Sequence, residues 1–181
     1  MKLIIGLGNP GKTYEKTRHN VGFDFIKKYV KTKGGALKKV KEFNSEIVKI
    51  QNNLFICPLT YMNNSGEAVL KLVNYYKINL DDILVIYDDL DLPFGTFKIK
   101  PRGSSGGHKG MSSVITLLNS EAIKRVRVGI SKVDKEEVID YVLSRFSKEE
   151  LKTIDKIYVT LTEIIDDFLI DEFDIVMNKY N

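Results

Sequence analysis

Histidine occurs only twice in this chain of 181 residues, and both copies, His19 and His108, fall in polar, glycine-rich stretches. His19 belongs to the loop-like run 9–22, which also holds Asn9, Tyr14, Arg18 and Asn20 and directly follows the apolar Leu3-Ile4-Ile5-Gly6-Leu7. A polar loop at the carboxyl end of a strand is where α/β enzymes keep their chemistry. An imidazole can act as a general base near neutral pH once a partner fixes its tautomer. Asp88, just after the apolar run Ile83-Leu84-Val85-Ile86-Tyr87, is the best candidate, provided that a neighbouring parallel strand brings it beside His19. No Ser or Cys stands next to the histidine in a nucleophile-elbow context. The pair therefore suits deprotonation of water and direct hydrolysis, with no metal or cofactor invoked.

Other polar residues have types that such a reaction would use. Asn9 offers a donor and an acceptor near His19. Asn63, in the turn Tyr61-Met62-Asn63-Asn64-Ser65-Gly66, either donates its amide to a carbonyl oxygen or caps the following helix. Lys98 and Lys100 share one face of a short strand, Arg125 and Arg127 share a face of another, and Arg102 and Lys109 bracket the glycine loop. Two strands with paired cations make a phosphate clamp. Tyr14 and Tyr61 either stack a nucleobase or pack against protein, and both readings stay open. Cys57, among Phe55, Ile56 and Leu59, reads as an inert core thiol.

Strands alternating with helices must position these groups. A strand over about residues 2 to 7 precedes the loop, and Asn20 can cap a helix carrying Val21, Phe23, Ile26, Tyr29 and Val30 at helical spacing. Residues 43–50 and 54–59 read as a hairpin, a helix runs through Ala68, Val69, Leu72, Val73 and Tyr76, and 83–87 is unbroken and apolar as a central parallel strand should be. A strand at 97–100, a helix at 109–118 and a strand at 125–130 follow. Two helical segments, 135–143 and 147–178, end the chain, the second apolar along Leu151, Ile154, Ile157, Leu161, Ile164, Ile165, Phe168 and Ile175. The expectation is a single α/β domain over 1–181, a three-layer sandwich with a mixed, mostly parallel twisted sheet flanked by helices.

Composition narrows the function. The 43% hydrophobic content suits one domain with a full core, no run is long and apolar enough to cross a bilayer, and Met1-Lys2-Leu3-Ile4-Ile5-Gly6 lacks signal-peptide architecture, so a cytoplasmic protein is expected. The net charge of +4 is uneven: residues 1–133 hold 22 Lys and Arg against 11 Asp and Glu, and residues 134–181 hold 6 against 13. Only the first part suits a polyanion. Gly6-Leu7-Gly8-Asn9-Pro10-Gly11 has the spacing of a dinucleotide fingerprint, but Pro10 removes an amide and the helix is delayed to about Asn20. The acidic residue that a ribose needs is also missing from Val48-Lys49-Ile50, so no nucleotide cofactor is expected.

From about residue 2 to 145 the sequence closely resembles the bacterial peptidyl-tRNA hydrolase family. Four motifs stand in the family's order: G-L-G-N-P-G-x-x-Y-x-x-T-R-H-N-x-G at 6–22, T-Y-M-N-N-S-G at 60–66, Y-D-D-L-D-L-P-F-G at 87–95 and G-S-S-G-G-H-K-G at 103–110. The resemblance implies a monomeric α/β esterase that cuts the bond between a peptide and the terminal ribose of tRNA, recycling tRNA from prematurely released peptidyl-tRNA. It implies His19 as catalytic base, Asp88 as its supporting carboxylate, Asn9 as the residue that tells blocked from free aminoacyl-tRNA, and Asn63 as a ligand near the scissile carbonyl. Tyr14, Tyr61 and Met62 match substrate-lining positions, Lys98, Lys100 and Arg127 match ligands of tRNA phosphate, and His108 and Lys109 fall with the substrate-binding residues.

Lys109 is a departure, because the family usually has there an asparagine associated with holding substrate or the attacking water. An ammonium donates but accepts nothing, so Lys109 either orients water differently or turns outward to phosphate. Two rival functions remain. A non-catalytic RNA-binding protein on the same fold is opposed by retention of both His19 and Asp88. A small-ester or nucleotide-dependent enzyme would act without the tRNA part and without steep salt dependence.

Overall fold

The computed structural model describes residues 1–132 and 137–181. Among them are the strands β1 (Leu3–Gly6), β2 (Lys38–Val40), β3 (Ser45–Ile50), β4 (Asn53–Pro58), β5 (Ile83–Asp89), β6 (Phe97–Lys100) and β7 (Lys124–Gly129). They form one seven-stranded sheet in the order β2-β3-β4-β1-β5-β7-β6. β4, β1, β5 and β7 are parallel neighbours, while β3 and β6 run against them towards the two margins. Parallel strands are apolar throughout because helices cover both faces. One face, with Ile4, Leu84, Ile86 and Val126, packs against α1 (Val21–Thr32), α4 (Val138–Leu143), α5 (Lys148–Ile170) and α6 (Phe173–Tyr180). The other, with Leu3, Ile5, Val85 and Tyr87, packs against α2 (Ser65–Tyr76) and α3 (Lys109–Leu118).

Two glycines set where the site falls. A Cβ on Gly22 would lie 2.3 Å from the Ile86 carbonyl oxygen, and one on Gly6 would lie 2.2 Å from the Gly22 carbonyl oxygen. With hydrogen there instead, α1 crosses β1 and β5 backbone to backbone. That approach holds His19, in the 3-10 turn that opens α1, beside the end of β5. Of the fingerprint-like glycines, Gly6 and Gly8 therefore serve packing, and no helix starts within the motif.

Two expected details differ. Asn20 takes the N-cap position of α1, but its side chain makes no cap and crosses to Asn9 instead. The segment expected over 147–178 is two helices. Ser147 and Glu150 form a capping box that starts α5, and extended backbone at Asp171 and Glu172 then breaks the run. The break lets α6 turn across the edge strand β6, where the Asn181 carboxamide donates to the Ile99 carbonyl and accepts from its amide, each at 2.9 Å. It also rotates the apolar stripe, burying Phe173 and Val176 and leaving Ile175 56% exposed. The helix expected at 135–143 is seen as α4, and its residues 135 and 136 lie outside the described residues.

Candidate active site

The carboxyl ends of β1 and β5 open into a cavity of about 620 Å³ that has both His19 and Asp88 in its lining. Asp88 is 3% exposed, and both of its oxygens lie 2.9 Å from His19 Nδ1. With Nδ1–H donating to the carboxylate, His19 Nε2 carries the lone pair, and it has no hydrogen-bond partner among the described residues. Asp88 Oδ1 also lies 2.9 Å from Nε2 of His108. The tautomer of His108 follows from its other nitrogen: Nδ1 accepts the Met111 amide at 3.1 Å, capping α3, so the proton is on Nε2 and is donated to Asp88.

Charge follows from this geometry. Burial would raise the Asp88 pKa, but the two imidazoles outweigh it and hold the carboxyl well below the usual carboxylate range. Burial likewise works to lower the His19 pKa, and the Asp88 charge and hydrogen bond overcome it, so the net shift is upward from 6.5. His19 Nδ1, Asp88 and His108 Nε2 lie within 4.8 Å of one another, close enough to consider a metal ion. The proton on His108 Nε2 argues against one, because coordination there would need the lone pair that this tautomer lacks.

Asn9 closes the far wall. Its amide donates to Asn20 Oδ1 at 2.8 Å, Asn20 Nδ2 donates back to the Asn9 carbonyl at 2.9 Å, and Asn9 Oδ1 accepts the Met62 amide at 2.7 Å. This last bond fixes which way the Asn9 carboxamide faces, and its NH₂ is left for the cavity. The same turn holds Tyr61 at φ 59°, a conformation that costs a side-chain-bearing residue energy, and sends its ring outward. Asn63 is exposed and also lines the cavity.

The family model described as "Peptidyl-tRNA hydrolase" matches residues 3–181. The chain belongs to the peptidyl-tRNA hydrolase family. It is 45% identical to a peptidyl-tRNA hydrolase of Listeria welshimeri over 185 residues and 46% identical to one of Mycoplasma mycoides over 187, with 100% of each chain covered in both cases. A crystal structure of peptidyl-tRNA hydrolase from Acinetobacter baumannii superposes with a TM-score of 0.93 at 31% identity, covering 100% of this chain and 94% of that one.

Within this peptidyl-tRNA hydrolase fold, the residues expected from sequence divide into two groups. His19, Asp88, Asn9, Tyr61, Met62, Asn63, His108 and Lys109 converge on the cavity. Tyr14 does not line it but meets Tyr61 edge to face at the rim, ring centroids 6.4 Å apart. Lys98, Lys100 and Arg127 lie away from the cavity lining, on the sheet face that carries α2 and α3, with Lys98 opposite Arg127 in register. Lys98 and Lys100 have no carboxylate partner among the described residues, whereas Arg127 Nε bonds Asp89. Arg125 is removed from the expected clamp: it is 1% exposed and binds the carbonyls of Ile123, Ser104 and Glu121, tying down the glycine loop. Lys109 also lines a second groove of about 370 Å³ between α2 and α3.

Several contributors were missed. His108, expected among the substrate-binding residues, lines the cavity with both of its nitrogens engaged by protein. Asn20 was read as a cap, and Leu90 and the α4 residues Val138, Ile139, Val142 and Leu143, which line the cavity, were not singled out. The spacing of Val138, Ile139 and Val142, at i, i+1 and i+4, is the one available signal of a helix face, and it does not say what that face meets.

Proposed function

We propose that the protein hydrolyses the ester joining a peptide to the terminal ribose of tRNA, with His19 as general base. The observation that carries this reading is the buried Asp88 carboxylate, held by two imidazoles, with Nε2 of His19 left free at the cavity. A water at Nε2 gives its proton to the ring as its oxygen attacks the ester carbonyl, and Asp88 stabilises the imidazolium. The Asn9 NH₂ and the Asn63 amide are donors for oxygens of the substrate near that carbonyl. Collapse breaks the bond to the ribose oxygen, which takes the proton back from His19, so peptide and tRNA leave and the base is restored.

The layers on either side of the sheet suggest how the substrate lies. Lys98, Lys100 and Arg127 stand on the α2/α3 face and suit RNA phosphates, and the apolar α4 on the opposite face suits the peptide. The reading takes residues 1–181 as one catalytic domain, acting as a monomer in the cytoplasm without metal or cofactor. Incubation with N-acetyl-aminoacyl-tRNA tests it: release of the acetylated amino acid that depends on the tRNA part is expected, and release from a simple ester at the same efficiency opposes it.

A further inference from the structure

Arg18 adjoins the proposed base and has no part in the chemistry above. It is buried, with its side chain 9% exposed, in a setting built to hold a planar cation. Its guanidinium lies over the Tyr141 ring at 4.5 Å and the Phe146 ring at 5.2 Å. Nη1 donates to Ser144 Oγ at 2.8 Å and to the Arg145 carbonyl at 2.9 Å, and Nη2 donates to Glu150 Oε1 at 2.7 Å. The backbone joins in: the Arg18 amide donates to the Ser144 carbonyl at 3.0 Å, and the Phe146 amide donates to the Lys16 carbonyl at 3.1 Å.

These partners belong to α4, to the junction between α4 and α5 and, in Glu150, to the first turn of α5. α4 presents Val138, Ile139, Val142 and Leu143 to the cavity, with Ile139 71% and Leu143 38% exposed. On its own, such a six-residue helix is too short to hold its place. Core packing of Val142 helps to hold it, and among the described residues its side-chain ties are two, the Tyr141 hydroxyl on the Ile130 carbonyl and Arg18 on its carboxyl end. The second tie is one residue from His19.

We propose that Arg18 is a positioning residue that locks the apolar wall α4 to the backbone of His19, so that a peptide seated against α4 and the imidazole that serves it keep one fixed relation. Neither lysine nor glutamine can replace it. Each lacks the fork that reaches Ser144, Arg145 and Glu150 together, and neither stacks as a guanidinium does. The inference rests on the proposed hydrolysis and adds to it a route by which the wall and the base are set together.

The test uses Arg18→Lys, Arg18→Gln and Ser144→Ala in the full chain, with N-acetyl-aminoacyl-tRNA as substrate and wild type measured alongside. A displacement of the base by about 1 Å can cost roughly a hundredfold in rate, so the two Arg18 variants should lose about ten- to a hundredfold in kcat with KM within a few-fold. Ser144→Ala, which leaves Arg18 and its other contacts in place, should show a smaller loss in the same direction. With only two histidines in the chain, imidazole NMR gives an internal control. The His19 resonances should move further than those of His108, which feels His19 only through Asp88 and the neighbouring ring and is itself pinned by the Met111 amide. Wild-type kcat in the Arg18 variants, or equal movement of both histidines, overturns the coupling while leaving hydrolysis by wild type intact. Failure of wild type to cleave overturns the functional reading and this inference with it.

Discussion

His108 donates its Nε2–H to Asp88 over 2.9 Å because Met111, three residues on, occupies its Nδ1 from the first turn of α3. One carboxylate is thus shared by two imidazoles with unlike duties. His19 keeps a free nitrogen at the cavity, and His108 keeps none. This division is directly visible to spectroscopy. Nitrogen-15 NMR of the neutral rings should show His108 protonated on Nε2 and bare on Nδ1, and His19 the reverse. The same tautomer in both rings would contradict the arrangement.

Removing His108 should alter the base without touching it. In His108→Ala, Asp88 loses one of its two imidazole donors and part of what holds its carboxylate in line with His19, so turnover should fall for loss of orientation. The less stabilised carboxylate holds the His19 proton more tightly, and the acidic limb of the pH–rate profile should move to higher pH. His108→Gln can donate to Asp88 and accept from Met111, so it should recover most of the rate and return the limb towards wild type. An unmoved limb in His108→Ala counts against the shared carboxylate.

The His19 shift also makes stability depend on pH. Its pKa in the folded protein is raised above 6.5, so the pair stabilises the fold fully below that value, and the contribution is lost as pH rises through the folded value. Comparing denaturant midpoints of wild type and His19→Gln across pH 5 to 9 should show the wild-type advantage shrinking upward. A constant difference would mean that the pairing does not set the shift.

Selectivity for blocked substrates should follow from Asn9. Its oxygen is held by the Met62 amide, so the NH₂ that it offers to the cavity suits a carbonyl and disfavours the ammonium of a free aminoacyl-tRNA. Asn9→Asp keeps an acceptor for Met62 and places negative charge in the cavity. Cleavage rates of acetylated and free forms of one aminoacyl-tRNA should therefore differ strongly in wild type and converge in the variant.

The basic residues make separable predictions. Lys100→Ala should raise KM and lower the salt slope by about one, with turnover little changed, since the Lys100 side chain has no carboxylate partner among the described residues. Arg127→Ala also frees Asp89, the neighbour of Asp88, and should lower turnover as well. Identical kinetics in the two variants would refute the distinction.

The sheet, the order of elements and the meeting of His19 with Asp88 were legible because they rest on local signals: unbroken apolar runs, helical spacing, and polar residues at strand ends. What failed depends on the opposite neighbour. Period-two alternation puts Arg125 on the same face as Arg127, but only the packing of the glycine loop decides that Arg125 is buried and Arg127 paired to Asp89. His108 follows a glycine loop rather than a strand, so no strand-end signal connects it with Asp88. The break at Asp171 lies in a run without Gly or Pro, and it turns α6 onto β6, a partner that local propensity does not announce.

The most direct measurement is cleavage of N-acetyl-aminoacyl-tRNA by wild type and His19→Ala, with tRNA affinity determined in parallel. Loss of a general base costs about a hundred- to ten-thousandfold, so the variant should be nearly inactive while binding tRNA within a few-fold of wild type. Turnover in His19→Ala equal to wild type, or no cleavage by wild type, contradicts His19 as the base that hydrolyses the ester.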